Sequence, residues 1–229
     1  MPAEPAFHIE PIAYLRSPWQ EKFGVPRQPG LIPEAWGEVD FVKKFADLEA
    51  REGLEGFSHL WVTFLFDRVA ENETRLRVRP PRLGGNEKIG VFATRSPFRP
   101  NRLGLSVCEI ESVTPVLRIK GVDIVDGTPI LDIRPYVPYV DSVPHAEAGF
   151  APSSPVRIAV RISPDLAQSW QLLSKSEQDL ITGMISLNPG PAYQEGSERI
   201  YRARVAEREV SWQMKDKEAV LIEIRVVAQ

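Results

Sequence analysis

Through about Tyr136, apolar and polar positions tend to alternate with a period of two, the signature of half-buried strands. Six segments read as strands, Phe7–Leu15, Trp36–Val42, Phe57–Phe66, Gly104–Val113, Val116–Val125 and Ile130–Tyr136, although Leu105, Val107, Glu109 and Glu111 mix faces. Each is short, rich in β-branched or aromatic side chains, and bounded by Gly/Pro turns. The pattern is clearest in Val116–Ile124, where Leu117 and Ile119 stand against Arg118 and Lys120. A short helix is expected near Phe45–Arg51. Asp126-Gly127, set between two apolar runs, predicts a hairpin turn. Short strands with few helices predict a mainly β fold, a small closed barrel or a sandwich.

The pattern changes near Pro144–Pro155, where Pro144, Gly149, Pro152, Ser153, Ser154 and Pro155 make a linker-like stretch. Beyond it lies a strand (Val156–Ile162), then helical spacing. Ser163-Pro164-Asp165 starts a helix that continues through Leu166, Trp170 and Leu173. Ser176, with Asp179 three residues on, predicts the N-cap of a second helix carrying Leu180, Met184 and Leu187. Asn188-Pro189-Gly190-Pro191 stops it. Ile200–Val205, Glu209–Met214 and Val220–Val227 read as strands. The expected organisation is a barrel domain over 1–143, a linker over 144–155 and a small α+β domain over 156–229.

With 229 residues, 43% of them hydrophobic, the chain has ample material for a core. No segment approaches the roughly 18–20 uninterrupted apolar residues of a membrane span. Met1–Glu10 lacks the basic-then-apolar order of a secretory signal. Cys108 is the single cysteine, so no internal disulfide is possible, which fits a reducing cytoplasm. It falls among Leu105, Val107 and Ile110 and reads as a small core residue.

The net charge of −3 argues against a general polyanion binder. Yet Arg75–Arg102 holds seven arginines (75, 77, 79, 82, 95, 99, 102) and Lys88 against Glu87 alone, within 28 residues. Such a local positive surface on an acidic protein focuses an anionic ligand onto one place.

Four segments combine backbone-fixing residues with polar groups. In Lys22–Gly30, Pro26 and Pro29 restrict the backbone while Gly24 and Gly30 permit turns; the stretch is either a ligand loop or a rigid crossover. Val78–Asn86 and Gly90–Ser106 hold arginines beside prolines, and preorganised guanidinium forks suit phosphate or carboxylate oxygens. Phe98, between arginines, offers a face for an unpaired base. In Gly121–Tyr136, Asp123, Asp126 and Asp132 serve turn chemistry, a cation or proton transfer; their spacing matches no metal loop. Gly-x-Gly-x-x-Gly, Walker, Gly-x-Ser-x-Gly and Cys/His metal patterns are missing from the sequence. His59, in an apolar run, reads as a sheet residue.

Lys22–Gly30, Leu54–Trp61, Val78–Asn86, Gly90–Gly104 and Asp123–Tyr139 together resemble the TrmO (TsaA-like, YaeB-like) family of S-adenosylmethionine-dependent tRNA methyltransferases. The likeness extends more loosely through Asn188–Tyr193. Arg102 departs from the family pattern, which often has a proline-like residue there. The resemblance implies a small TsaA-like β barrel that binds S-adenosylmethionine at a homodimer interface. It implies methylation of N6 of N6-threonylcarbamoyladenosine at position 37 of tRNA, beside the anticodon. It also implies cofactor contacts from Gln28, Pro29, Gly30, Phe66, Asp67, Arg95, Leu105, Ile124, Val125, Asp126 and Gly127, and no metal.

Methylation at this nitrogen needs a proton acceptor. Asp126 is the candidate, with Asp67 behind it, although a carboxylate at Asp126 can equally hold the cofactor's ribose or amino group. Arg79, Arg82, Arg99 and Arg102, with Phe98, are assigned to tRNA; Arg95 is placed at the cofactor and also suits the substrate's carboxylate. Arg199, Arg202, Arg204 and Arg208 either extend the RNA footprint or form a solvated strand face. The rival readings are a methyltransferase of a small anionic substrate, a non-catalytic RNA-binding barrel and a metal-dependent enzyme using the aspartates.

Overall fold

A computed structural model describes residues 8–187 and 199–227. The alternating segments form β1 (Ala13–Arg16), β2 (Trp36–Phe41) and β3 (His59–Leu65). A two-stranded ribbon, β4 (Arg77–Val78) and β5 (Ile89–Gly90), precedes β6 (Leu103–Ser112), β7 (Leu117–Lys120) and β8 (Pro129–Pro135). Apart from the ribbon, these strands pair antiparallel in the order β1-β2-β7-β6-β3-β8. β8 pairs back onto β1 through Ala13↔Ile130, so the sheet is a closed barrel without an unpaired edge.

Every second side chain points inward. Ala13 and Leu15, Leu60, Val62 and Phe64, Leu117 and Ile119, with Cys108 and Ile130, fill the interior. Burying each of the larger aliphatic side chains contributes about 1.5–3 kcal/mol. The Cys108 thiol is raised well above its ordinary range, first by burial and then by the nearby Asp123 charge. That suits a packing role.

Three barrel segments differ from the sequence reading. Phe45–Arg51 is not one helix but falls across two 3₁₀ turns, Lys43–Phe45 and Leu48–Arg51. Asp47 separates them by accepting the Glu49 N–H at 3.1 Å, and so short a stretch cannot repay helix nucleation. β7 stops at Lys120 because Gly121 turns to φ +73°. Asp126-Gly127 consequently closes no hairpin, since β7 pairs with β2 and β6 while β8 pairs with β1 and β3. The intervening chain bonds to Leu15–Trp19 instead.

After the short helix α1 (Pro138–Asp141), the second part starts at β9 (Val160–Ile162), shorter than expected. A 3₁₀ turn then leads into α2 (Ala167–Gln171) and α3 (Lys175–Ser186). The α3 N-cap is Ser174, not Ser176. The Ser174 hydroxyl accepts the Glu177 N–H at 3.3 Å while the Glu177 carboxylate accepts the Ser174 N–H at 2.9 Å, a capping box. The expected stop at Asn188–Pro191, the Ala192-Tyr193 likeness, and Phe7 lie outside the described residues. β10 (Ile200–Val205), β11 (Arg208–Lys215) and β12 (Glu218–Val226) run antiparallel, and β9 joins β12 in parallel.

The two parts share one buried cluster. Trp19 and Ile32 belong to it with Met184, Ile185, Val205 and Trp212. Trp19 bridges to Val205, and the Ala206 N–H donates to the Pro18 carbonyl at 2.6 Å. Among the described residues, no helix is long and apolar enough to cross a membrane.

Candidate cofactor and RNA site

Segments far apart in sequence meet around the turn that follows β7. The Gly30 N–H donates to the Gly121 carbonyl at 2.8 Å, and both residues have φ +73°. A Cβ on Gly121 would lie 3.1 Å from the Gly30 Cα, so two backbones touch where side chains would hold them apart. This fixes Gln28-Pro29-Gly30 against the turn. The Gln28 carboxamide oxygen then accepts a hydrogen bond from the Arg95 guanidinium.

The Arg95 charge in turn acts on Asp123. The Ser106 hydroxyl, buried at an inward position of β6, donates to Asp123 Oδ1 at 2.6 Å. Burial of the Asp123 carboxyl pushes its pKa up to about 6, against the opposing pull of the Ser106 bond, a backbone bond and Arg95. Leu105, the neighbour of Ser106, points the other way and is 54% exposed. Gln28, Arg95, Ser106 and Asp123 thus form one polar chain beside an exposed apolar side chain.

The sequence offers Asp123 with Asp126 and Asp132 for proton transfer, and Asp123 is the one held by a buried hydroxyl. The signal was available: Ser106 is a hydroxyl at an inward position where Gly104 and Cys108 are its inward neighbours. A buried hydroxyl requires a partner.

Asp126 is held differently. Its Oδ1 accepts the Ser17 N–H at 2.8 Å, its own N–H donates to the Trp19 carbonyl at 2.8 Å, and its carbonyl accepts from Arg68 at 2.8 Å. Gly127, at φ +76°, donates to the Leu15 carbonyl at 2.7 Å. Ile124 lies in the core and its carbonyl accepts the Ser17 hydroxyl at 2.8 Å. Val125, between them, is half-buried. Phe66 packs edge-on against Phe64 with centroids 5.1 Å apart, and Asp67 is exposed.

The arginine-rich stretch divides in two. Arg79 and Arg82 are exposed on the surface, and Arg82 donates to the Ser153 carbonyl at 2.5 Å. Arg27 stays below its ordinary pKa, first through burial and then through the Arg82 charge. Arg99 instead donates to the Thr94 carbonyl at 3.2 Å. Arg102, at φ +51°, donates to the Val69 carbonyl at 2.7 Å and pairs with Glu71 at 3.2 Å, its side chain only 18% exposed. Arg99 and Arg102 therefore fasten the loop. The Arg75 guanidinium covers one face of the Phe98 ring at 4.0 Å from its centroid. Phe92, by contrast, is 76% exposed beside the ribbon.

On β10, Arg202 and Arg204 are exposed, and Arg204 pairs with Glu209 at 3.8 Å. Arg208 pairs with Glu177 at 3.1 Å, and Arg199 lies over the Tyr201 ring. His59 meets the Ser58 hydroxyl and the edge of Tyr136. Among the described residues, no three His, Cys, Asp or Glu side chains gather as a metal site.

Residues 14–142 match the family model described as tRNA-methyltransferase O N-terminal domain, and residues 155–227 match the TrmO C-terminal domain. The tRNA (adenine(37)-N6)-methyltransferase of Escherichia coli (strain K12) is 41% identical over 222 residues, covering 92% of this chain and 94% of that protein. A putative S-adenosylmethionine-dependent methyltransferase, RcsF, of Pseudomonas aeruginosa is 44% identical, covering 89% and 91%. The crystal structure of TrmO from Pseudomonas aeruginosa superposes with a TM-score of 0.80 at 35% identity, covering 96% of this chain and 99% of that one. Matched along both domains and aligned over nearly its whole length with such relatives, the chain belongs to the TrmO family.

Proposed function

We propose that this protein is an S-adenosylmethionine-dependent tRNA methyltransferase that modifies N6 of N6-threonylcarbamoyladenosine at position 37, acting as a cytoplasmic homodimer. The observation that carries the reading is the meeting of Gln28, Arg95 and Asp123 in a chain whose nearly full-length relative is named tRNA (adenine(37)-N6)-methyltransferase. In this reading the TsaA-like barrel of residues 1–143 binds cofactor, and residues 156–229, after a linker over 144–155, aid tRNA binding. The homodimer is supported by the family resemblance and by Leu103 and Leu105, apolar and exposed on β6.

The residues present fit the cofactor. Gln28 and Arg95 would supply polar partners, Gly30 adjoins open space within 4 Å, and Leu105 would present an apolar surface. When bound, S-adenosylmethionine supplies an electrophilic methyl group on a sulfonium. The substrate nitrogen, by contrast, is a poor nucleophile, because its lone pair is delocalised into both the purine and a carbonyl. Two tasks remain for the protein. It holds the nitrogen in line, which can supply much of the rate. It also takes the N–H proton onto a carboxylate oxygen as the N–C bond forms. Asp123 suits that step, because its raised pKa makes it a stronger base than an ordinary aspartate while still ionised near neutral pH, whereas the Asp126 carboxylate is engaged by the Ser17 N–H. Arg79 and Arg82 meet RNA phosphates, while Arg99, Arg102 and Phe98 shape the loop that presents them.

The test is methyl transfer from labelled S-adenosylmethionine to tRNA with or without the threonylcarbamoyl group. Label is expected only in the modified tRNA. Equal label in unmodified tRNA, or none in either, overturns the assignment.

A further inference from the structure

The loop that carries Gln28 is gripped from two sides. On the barrel side, Gly30 bonds to Gly121 and Gln28 to Arg95. On the other side it lies on the C-terminal domain. Phe23 stacks on the buried Trp212, centroids 5.9 Å apart. Gly24 has φ +91°, and a Cβ there would come 2.8 Å from Met184 Sδ, so the loop backbone rests directly on the buried face of α3. The Glu21 carboxylate accepts the Arg204 N–H at 3.0 Å. Ile32, just past the loop, is the nearest side chain to Gly183.

Arg157 completes the grip. One guanidinium nitrogen donates to the carbonyl of Leu31, the residue after Gly30. Another donates at 2.9 Å to the Ser186 hydroxyl, which itself donates to the Gly183 carbonyl at 2.8 Å. A planar fork can span two acceptors on separate segments, whereas an ammonium is a single compact charge. Arg157 itself is exposed, so this link can be altered without opening the core.

We propose that the C-terminal domain positions the cofactor loop, and that Arg157 is a positioning residue that clamps Leu31 to the end of α3 and thereby fixes Gln28-Pro29-Gly30. This rests on the reading that the loop binds S-adenosylmethionine. A loop ordered before the ligand arrives does not charge its ordering cost to binding. Releasing the clamp transfers part of that cost to the cofactor's affinity, while the RNA-facing arginines keep their places.

An arginine here could instead hold an RNA phosphate, and Arg157→Lys in the full-length protein separates the two roles. Lysine keeps the charge and loses the fork. Binding of S-adenosylmethionine is measured by calorimetry without RNA, and tRNA affinity is measured across a salt series. For Arg157→Lys, cofactor binding weaker by about tenfold is expected, with tRNA affinity and its salt slope unchanged. Ser186→Ala, which removes the second acceptor, shifts cofactor affinity in the same direction. Gln28→Ala serves as the control for the loop itself. If Gln28→Ala weakens cofactor binding while Arg157→Lys leaves it at the wild-type value, the clamp is wrong and the cofactor loop stands. If Gln28→Ala also leaves it unchanged, the cofactor reading of the loop falls and the clamp with it. Wild-type cofactor binding with weakened tRNA binding in Arg157→Lys assigns the residue to phosphate.

Discussion

Asp123 and Asp126 lie on one turn and do different work. Asp126 accepts a backbone N–H from Ser17 and helps join the turn to β1, a task an asparagine oxygen performs nearly as well. Asp123 is held by a hydroxyl and an arginine field, with its pKa near 6. The sign follows from that shift. The folded-state value lies above the ordinary 3.8, so the folded protein binds the proton more tightly, and stability falls as pH rises from about 4 through 6. In the proposed reaction activity runs the opposite way, because Asp123 must be ionised to accept the proton. Single-turnover methylation at saturating cofactor should therefore rise as pH increases through about 6. Asp123→Asn should lower the rate by roughly 10²–10⁴-fold and remove that limb. Asp126→Asn should keep both rate and limb. A rate lost in Asp126→Asn with normal cofactor affinity would return the proton to Asp126.

At the level of elements, α3 depends on the reciprocal bonds between Ser174 and Glu177. Ser174→Ala should cost about 1 kcal/mol, read from denaturant midpoints, and Ser176→Ala should cost far less; equal costs would remove the box as the stabilising feature. Both serines begin a Ser-x-x-acid pattern, but at Ser174 the longer glutamate side chain reaches back to the cap. Strand identity was legible because burial alternates in the sequence itself, as in Leu117 to Lys120. Strand pairing was not. Asp126-Gly127 has ideal hairpin chemistry, yet Gly121 had already turned the chain out of the sheet. The site was legible in part. Glycine, proline and arginine mark Gln28–Gly30 and Arg95, but the partnership of Ser106 with Asp123 depends on barrel closure, which no local pattern encodes. Arg102 shows the converse: a charge that reads as a ligand contact in sequence is used to fasten a loop.

For the whole molecule, the linker between barrel and C-terminal domain in sequence is not a boundary in the core. Trp19 and Ile32, both from the segment leading out of β1, are buried with Met184 and Trp212. The Gln28–Gly30 loop, proposed to bind cofactor, therefore has no stable surface to rest on if either half unfolds alone. Such a shared core predicts one cooperative unit. Trp212→Phe shortens the ring that stacks between Phe23 and Tyr201, at 5.9 and 5.8 Å, without touching a barrel strand. Native-state hydrogen exchange of this variant should show protection falling together at the slowest amides of β11 and β3, by a similar free energy. If β11 loses protection while β3 keeps the wild-type value, the halves unfold separately. In that case the contacts between loop and α3 would hold the native loop without coupling the unfolding of the two halves. Equal losses would make the barrel and the C-terminal sheet two faces of a single folded body.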